Sequence, residues 1–339
     1  MSTSYDGQQY VGIDLHRRRS VLVRMTEAGE MLETVRISND PEYLRLVMAR
    51  AGEAPEVALE ACYGWYWAAD ALLELGASVH LAHPLGVKGF AYRRVKNDER
   101  DAADLADLLR MGRLPEAWIA PPASRELREL VRHRAKLVGL RTNLKCQVHA
   151  VLASAGVPVT SSDVFGPGGR ELLERVALPA AMRAKTNSAL RLIDAITFEI
   201  DTFAGLVTAR LHTEPGYAAV QTIPGVGPTL GAVFVAEIGD VRRFRRPEQL
   251  TSWAGLTPKH HESDTKVRRG RITKMGSKLV RWAALEAVQR VGPQTRIGAF
   301  RDQVAERRGR NQAKVAAARE LVECVFYALR DHHVRRLTA

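Results

Sequence analysis

Over the first 120 residues, short apolar runs bounded by polar turns predict strands before helices. A strand is predicted from Tyr10 to Asp14, a turn through His16–Arg19, a second strand over SVLVRM, a turn at EAGE and a third strand over MLETVRI, the pattern of an antiparallel meander. A helix is expected from about Pro41, with Tyr43, Leu44, Val47 and Met48 on one face and Asn39 or Asp40 as its cap. A strand (EVALEA), a helix (YWAADALLELG), a strand (SVHLAH) and a further helix follow. That order predicts an α/β unit with a mixed sheet.

Beyond the Pro-Pro pair at 121–122 the period changes. Leu130, Leu137, Leu144 and Val151 recur every seven residues, Leu127 and Val148 occupy the other seam, and Arg134 and Arg141 interrupt that second seam. Such spacing predicts a long helix packed on another. Its partner is either a second chain or the stretch near 180–212, where Leu192, Ile193, Ile196, Ile200 and Phe203 are apolar; GPGG at 166–169 reads as a hinge. The last third opens with IPGVGPTLGA, a Gly-x-Gly turn between short helices. The backbone amides around Gly225 and Gly227 could hold a phosphate oxygen, as in a helix-hairpin-helix, or the turn could be a tight helix connection. A strongly basic, polar loop then separates two apolar helical stretches. The expected domains are 1–120, 121–215 and 216–339.

Charge divides the chain in the same places. Basic and acidic side chains number 14 and 18 in residues 1–120, 13 and 9 in 121–215, and 23 and 11 in 216–339, so nearly all the excess of +12 lies in the last third. A basic region of that kind suits a polyanion, while an acidic one would repel it unless cations intervene. The N-terminus lacks the basic start and apolar core of an export signal, and no apolar run reaches the ~20 residues of a membrane span. Three scattered cysteines form neither a disulfide framework nor a zinc site, so a reducing cytoplasm is expected.

Carboxylates are the strongest candidate chemistry. Asp98, Asp101, Asp104 and Asp107 recur every three residues, Asp14 ends the first strand beside Gly12, and Glu60 ends the EVALE strand. If those strands are neighbours and the acidic helix crosses their ends, Asp14, Glu60, Asp98 and Asp101 converge and need cations. Oxygen donors of this kind favour Mg²⁺, with Mn²⁺ as a substitute. Each acid also has a plainer role available, Asp14 as a turn cap, Glu60 as a strand-end charge, Asp104 and Asp107 as helix surface.

VGID at 11–14, LEACYGWY at 59–66, KNDERDA at 96–102, IPGVGP and AGLTPKHHES at 254–263 together resemble the insertion sequence 110 family of transposases. The resemblance implies an α/β N-terminal RuvC-like (RNase H-type) domain with a mixed sheet, a helical coiled-coil insert and a mainly α C-terminal transposase domain. It implies metal ligation by Asp14, Glu60, Asp98 and Asp101, and a nucleophilic serine at Ser263. The family often has a small residue such as glycine after that serine, where this chain has Asp264. Around it, Lys259, Lys266, Arg268, Arg269, Arg271 and Lys274 are candidate phosphate contacts, and His260 and His261 are DNA-facing or proton-handling.

The implied activity is that of a site-specific DNA recombinase, cutting and rejoining donor and target duplexes through a phosphoserine link, with a non-coding bridge RNA choosing the sequences. A homo-oligomer located with the nucleoid is expected. Two alternatives stay open: a RuvC-like junction nuclease that hydrolyses DNA with the carboxylates alone, and a non-enzymatic nucleic-acid-binding protein.

Overall fold

A computed structural model of the chain describes residues 5–90, 97–159, 163–264 and 266–334, together with all their side chains except that of Arg269. They form two compact units, residues 1–119 and 120–339.

In the first unit the order is β1 (Gln9–Leu15), β2 (Arg19–Thr26), β3 (Met31–Ser38), α1 (Pro41–Met48), β4 (Glu56–Glu60), α2 (Trp65–Glu74), β5 (Ser78–Ala82), α3 (Pro84–Val87), α4 (Asp98–Arg110) and β6 (Glu116–Ala117). The mixed sheet runs β3-β2-β1-β4-β5-β6, antiparallel from β3 to β1, parallel from β1 through β4 to β5, and antiparallel again at β6. Side chains alternate across a strand, and β1 uses both faces. Val11, Ile13 and Leu15 join the α1 and α2 residues Leu44, Val47, Ala68 and Leu72 in one core. The opposite face is built from small residues, including Ala58 and Ala82, under Leu105 and Leu109 of α4.

That small-residue face lets α4 lie close. A Cβ built on Gly12 would stand 1.8 Å from the carbonyl oxygen of Ala102 and 2.8 Å from the nitrogen of Ala106, so any side chain there would push the helix off the sheet. Asn97 caps α4 by accepting from the Glu99 amide (3.0 Å). Asp98, Glu99 and Asp101 occupy the first turn, where the helix dipole favours negative charge.

The second unit holds α5 (Pro122–Ser154), α6 (Pro167–Arg175), α7 (Ala180–Leu211), α8 (Pro215–Gln221), α9 (Pro228–Ile238), α10 (Pro247–Trp253), β7 (Pro258–Ser263), β8 (Lys266–Ile272), α11 (Lys278–Gln289), α12 (Arg296–Arg308) and α13 (Arg310–Asp331). Helices α5 and α7 pack antiparallel: His133 stacks on Phe203, Arg141 donates to Thr197, and Val148 and Leu152 meet Ala189 and Ile193. The partner of the long helix is thus found within the chain. Its buried positions are Leu127, Val131, Val148, Val151 and Leu152, while Leu130, Leu137 and Leu144 are half-buried. The seam has shifted toward 131 and 152 and is least apolar at Arg134 and Arg141, which is not a regular heptad core. GPGG opens α6, with Pro167 at its first position and Gly169 against the backbone of Asp163 and Val164; it is a helix start and not a hinge.

Leu127, Val131, Val207 and Leu211 share a buried cluster with α8, α9, α11 and α13. A polar clasp reinforces that junction. Glu237 at the end of α9 is 4 % exposed and receives both Arg132 nitrogens at 2.6 and 3.1 Å, plus the hydroxyl of Ser277 at 2.9 Å. Arg128 donates to the carbonyls of Ala236 and Glu237. Glu237→Gln should lower unfolding free energy by about 1.5–3 kcal/mol, the range for hydrogen bonds to a charged group, with a lower urea midpoint at unchanged slope.

Candidate metal centre and basic hairpin

Register brings the first acids together. In the parallel pair of β1 and β4, Ile13 faces Leu59, so Asp14 and Glu60 are the next residues at the same ends of adjacent strands. Both charges reach Cys62, whose thiol is pushed up first by burial, then by Glu60, with a smaller contribution from Asp14. Asp14 lies on the same face of β1 as Gly12, under α4, and is 7 % exposed.

Because Gly12 seats α4 against this face, Asp98 at the start of the helix reaches Asp14. A third residue joins them. His16, two positions after Asp14 and therefore on the same side of the chain, places Nε2 3.1 Å from Asp14 Oδ2 and 3.3 Å from Asp98 Oδ1. One donor atom from each of Asp14, His16 and Asp98 lies within 4.8 Å of the others, the only such group among the described residues. Glu60, half-buried at the end of β4, and Asp101, half-buried one helical turn after Asp98, lie outside that tight set. Asp104 is exposed and Asp107 pairs with Arg110 at 2.6 Å. Lys96, which begins the KNDERDA motif, is outside the described residues.

Sequence reading passed over His16 as a turn residue. The signal was present in the alternation Gly12, Asp14, His16, which puts all three on the α4 side. The donor set suits a small divalent cation: two carboxylates and an imidazole converge, and the His16 Nε2 atom is buried with no hydrogen-bond partner.

The expected loop around Ser263 is a β-hairpin. Strand β7 is exposed at every position, so its charged residues are solvated on both faces and no apolar alternation announces a strand. In the ladder Ser263 pairs with Lys266 and His261 with Arg268, while His260 pairs with Arg269 and Glu262 with Val267. Directly paired residues share a face, so Ser263, His261, Lys266 and Arg268 lie together. His260 is on the opposite face, 3.2 Å from Glu262. Ser263 ends the strand, and Asp264 follows it at φ 52°, in the left-handed region that glycine favours and aspartate tolerates. Lys259, Arg271 and Lys274 are exposed; the Arg269 side chain is outside the description. Gly255 and Gly276 close the base, since a Cβ would meet Met275 O at 2.3 Å and Trp253 O at 1.7 Å respectively.

Gly225 has φ 85°, and a Cβ on it would stand 2.4 Å from Ala287 O, a packing reason for glycine at that turn. Gly227 begins α9 with open space around it. Both line a cavity of about 680 Å³ whose walls include Arg134, Arg141 and Trp282. No helix among the described residues is long and apolar enough to cross a membrane.

Comparison with known proteins bears on both regions. Residues 11–156 match a DEDD-type model described as a transposase of the IS110 group, and residues 217–305 match the model "Transposase IS116/IS110/IS902 family". The chain belongs to the IS110/IS116/IS902 family of transposases. It is 23% identical, over 97% of its length and 92% of the relative's, to the transposase for insertion sequence element IS1111A of Coxiella burnetii. It is 26% identical to an uncharacterized 44.8 kDa protein of insertion element IS116 from Streptomyces clavuligerus, over 98% of this chain and 96% of that one. The first match contains the Asp14–His16–Asp98 group and the second contains the hairpin, so the transposase carries both of its candidate sites inside family regions.

The role of Gly12 is open to a direct check. Gly12→Ala should cost the transposase about 1–3 kcal/mol by overpacking, seen as a lower urea midpoint. It should also weaken divalent-cation binding measured calorimetrically, while Gly139→Ala, where the Cβ meets nothing, leaves that binding unchanged.

Proposed function

We propose that this transposase cuts and rejoins DNA by transesterification at Ser263, assisted by a divalent-cation centre held by Asp14 and Asp98 with Glu60 and Asp101. The observation that carries the reading is the convergence of Asp14, His16 and Asp98 at the strand ends in a chain with two transposase regions. A divalent ion there would offset the charge that builds on a phosphate during in-line displacement. Asp14, buried at the end of β1, and Asp98, beside the Asn97 cap of α4, supply the carboxylate oxygens that would hold such an ion. Mg²⁺ suits the four carboxylates and Mn²⁺ can replace it.

On the hairpin, Ser263 Oγ attacks phosphorus, a serine–phosphate bond forms, the bond to one sugar oxygen breaks, and that oxygen leaves as a hydroxyl that takes up the proton lost by the serine. Lys266 and Arg268, on the serine's face, hold the nonbridging oxygens. The ester keeps the bond energy, so attack by a sugar hydroxyl releases the serine and seals the new strand. Phosphate contacts by the basic unit are blind to sequence, which fits selection of donor and target by base pairing with a bridge RNA. Joining two duplexes needs several active sites, which a homo-oligomer supplies.

Hydrolysis at the carboxylate centre, with Ser263 idle, is the competing reading, and the same three-residue convergence supports it. Electrophoresis of end-labelled substrate under denaturing conditions, with and without protease, separates the two. Wild-type protein should give a protease-sensitive, protein-linked band, and Ser263→Ala should give none while still binding DNA. Normal cutting by Ser263→Ala with only free phosphate ends would assign the reaction to the carboxylates.

The hairpin geometry predicts an unequal response to charge removal. Replacing Lys266 and Arg268 by Ala should reduce the slope of log K against log salt by about 1.8 on duplex DNA, about 0.9 for each lost phosphate contact. Lys274→Ala, beyond the end of β8, should change it less. Equal slopes for both proteins would place the phosphate elsewhere. Purification of the protein from cells, followed by sequencing of any bound nucleic acid, tests for the RNA.

A further inference from the structure

We infer that His16 is a direct ligand of the divalent ion, which makes the centre a mixed oxygen and nitrogen site that favours Mn²⁺ over Mg²⁺. The inference rests on the reading of Asp14 and Asp98 as ligands and adds a residue and a metal preference to it.

Three observations carry it. The first is the geometry of Nε2, which is buried and lies 3.1 and 3.3 Å from two carboxylate oxygens, yet has no hydrogen-bond partner. Were His16 simply a cation neutralising the two acids, its N–H would point at one of them. Donors bound side by side around an ion at roughly 2.1 Å are about 3 Å apart, so the spacing suits atoms aimed at a common point.

The second is the support behind the ring. Asn39 donates from Nδ2 to the His16 carbonyl at 2.6 Å, and Ser20 fixes Asn39 by donating to its Oδ1 at 2.7 Å. The His16 amide donates to Arg19 O at 3.1 Å. This holds the β1–β2 turn from which the imidazole projects. The third is the chemistry of the neighbours: among the described residues the other cation paired with Asp98 is Arg19, 4.0 Å away and well exposed, whereas the group close to both Asp14 and Asp98 is imidazole. Imidazole binds first-row transition ions better than Mg²⁺, which keeps to oxygen and water.

The test uses the full chain and Mn²⁺ alone. Protein labelled with ¹⁵N-histidine and unlabelled protein are loaded with one equivalent of Mn²⁺ and compared by pulsed electron paramagnetic resonance. Nitrogen coupling should change isotope pattern with the label and vanish in His16→Gln. Free-Mn²⁺ titration against competing Mg²⁺ should show the Mn²⁺ preference falling about tenfold in His16→Gln. Mn²⁺ bound at a site lost in Asp14→Asn, but with no histidine coupling in the wild type, would overturn the ligand assignment and leave the carboxylate centre standing. Mn²⁺ binding unchanged in Asp14→Asn would overturn the centre itself. The isotope comparison uses wild-type protein, so it decides even if a variant fails to fold.

Discussion

The candidate metal centre depends on the missing side chain at Gly12. Helix α4 can bring its N-terminus to the end of β1 only because the backbone at Ala102 and Ala106 occupies the space a Cβ would take. Ala58, Ala82 and Ala102 extend the same low surface. The contact is short-range and steric, and steric contacts of this kind have little give in a close-packed interior. Asp14 and Asp98 are far apart in sequence; what joins them is one glycine and a helix laid across it.

Once the helix is seated, electrostatics shape what it can hold. Acids at the first turn of α4 gain from the helix dipole and from the Asn97 cap, which offsets part of their mutual repulsion. Asp107, at the far end, is neutralised by Arg110. The three-residue repeat of aspartates therefore divides into an inward end, a solvated middle at Asp104 and a paired end. Among the described residues the inward end shares a three-donor group with the end of β1, where Asp14 is too buried to be stabilised by water alone. His16 Nε2 stands 3.1 Å from its Oδ2.

Sequence periodicity showed the first unit well because its strands are buried on one or both faces and so carry an apolar pattern. The three-strand meander, the alternation with α1 and α2, and the mixed sheet all follow from such runs. The nearness of Asp14 to Glu60 was legible once both were placed at strand ends. His16 was not, since a histidine beside three arginines reads as turn surface unless the two-residue period is carried one step past the strand. Hairpin β7–β8 escaped for the opposite reason: a ladder solvated on both faces leaves no alternation. The long helices were legible as helices, but their seam was not, because Arg134 and Arg141 occupy positions that a heptad assigns to apolar residues. Gly225 was visible in the Gly-x-Gly turn; the close backbone contact that requires glycine there was not.

The two units carry opposite chemistry, and that opposition has a physical consequence for any polyanionic substrate. The basic hairpin can gather phosphates through Lys266 and Arg268 without a metal, whereas the carboxylate end of the sheet repels them until its charge is neutralised. Affinity and catalysis are thereby separated. Under the proposed function, binding follows counterion release and weakens with salt, while chemistry follows occupancy of the candidate site at Asp14 and Asp98. A nuclease with only the acidic site would have to overcome repulsion and position the phosphate at the same place. In the proposed transesterification the Ser263 hydroxyl stands on a basic strand that attracts phosphate, and a divalent ion offsets the carboxylate charge that would repel it.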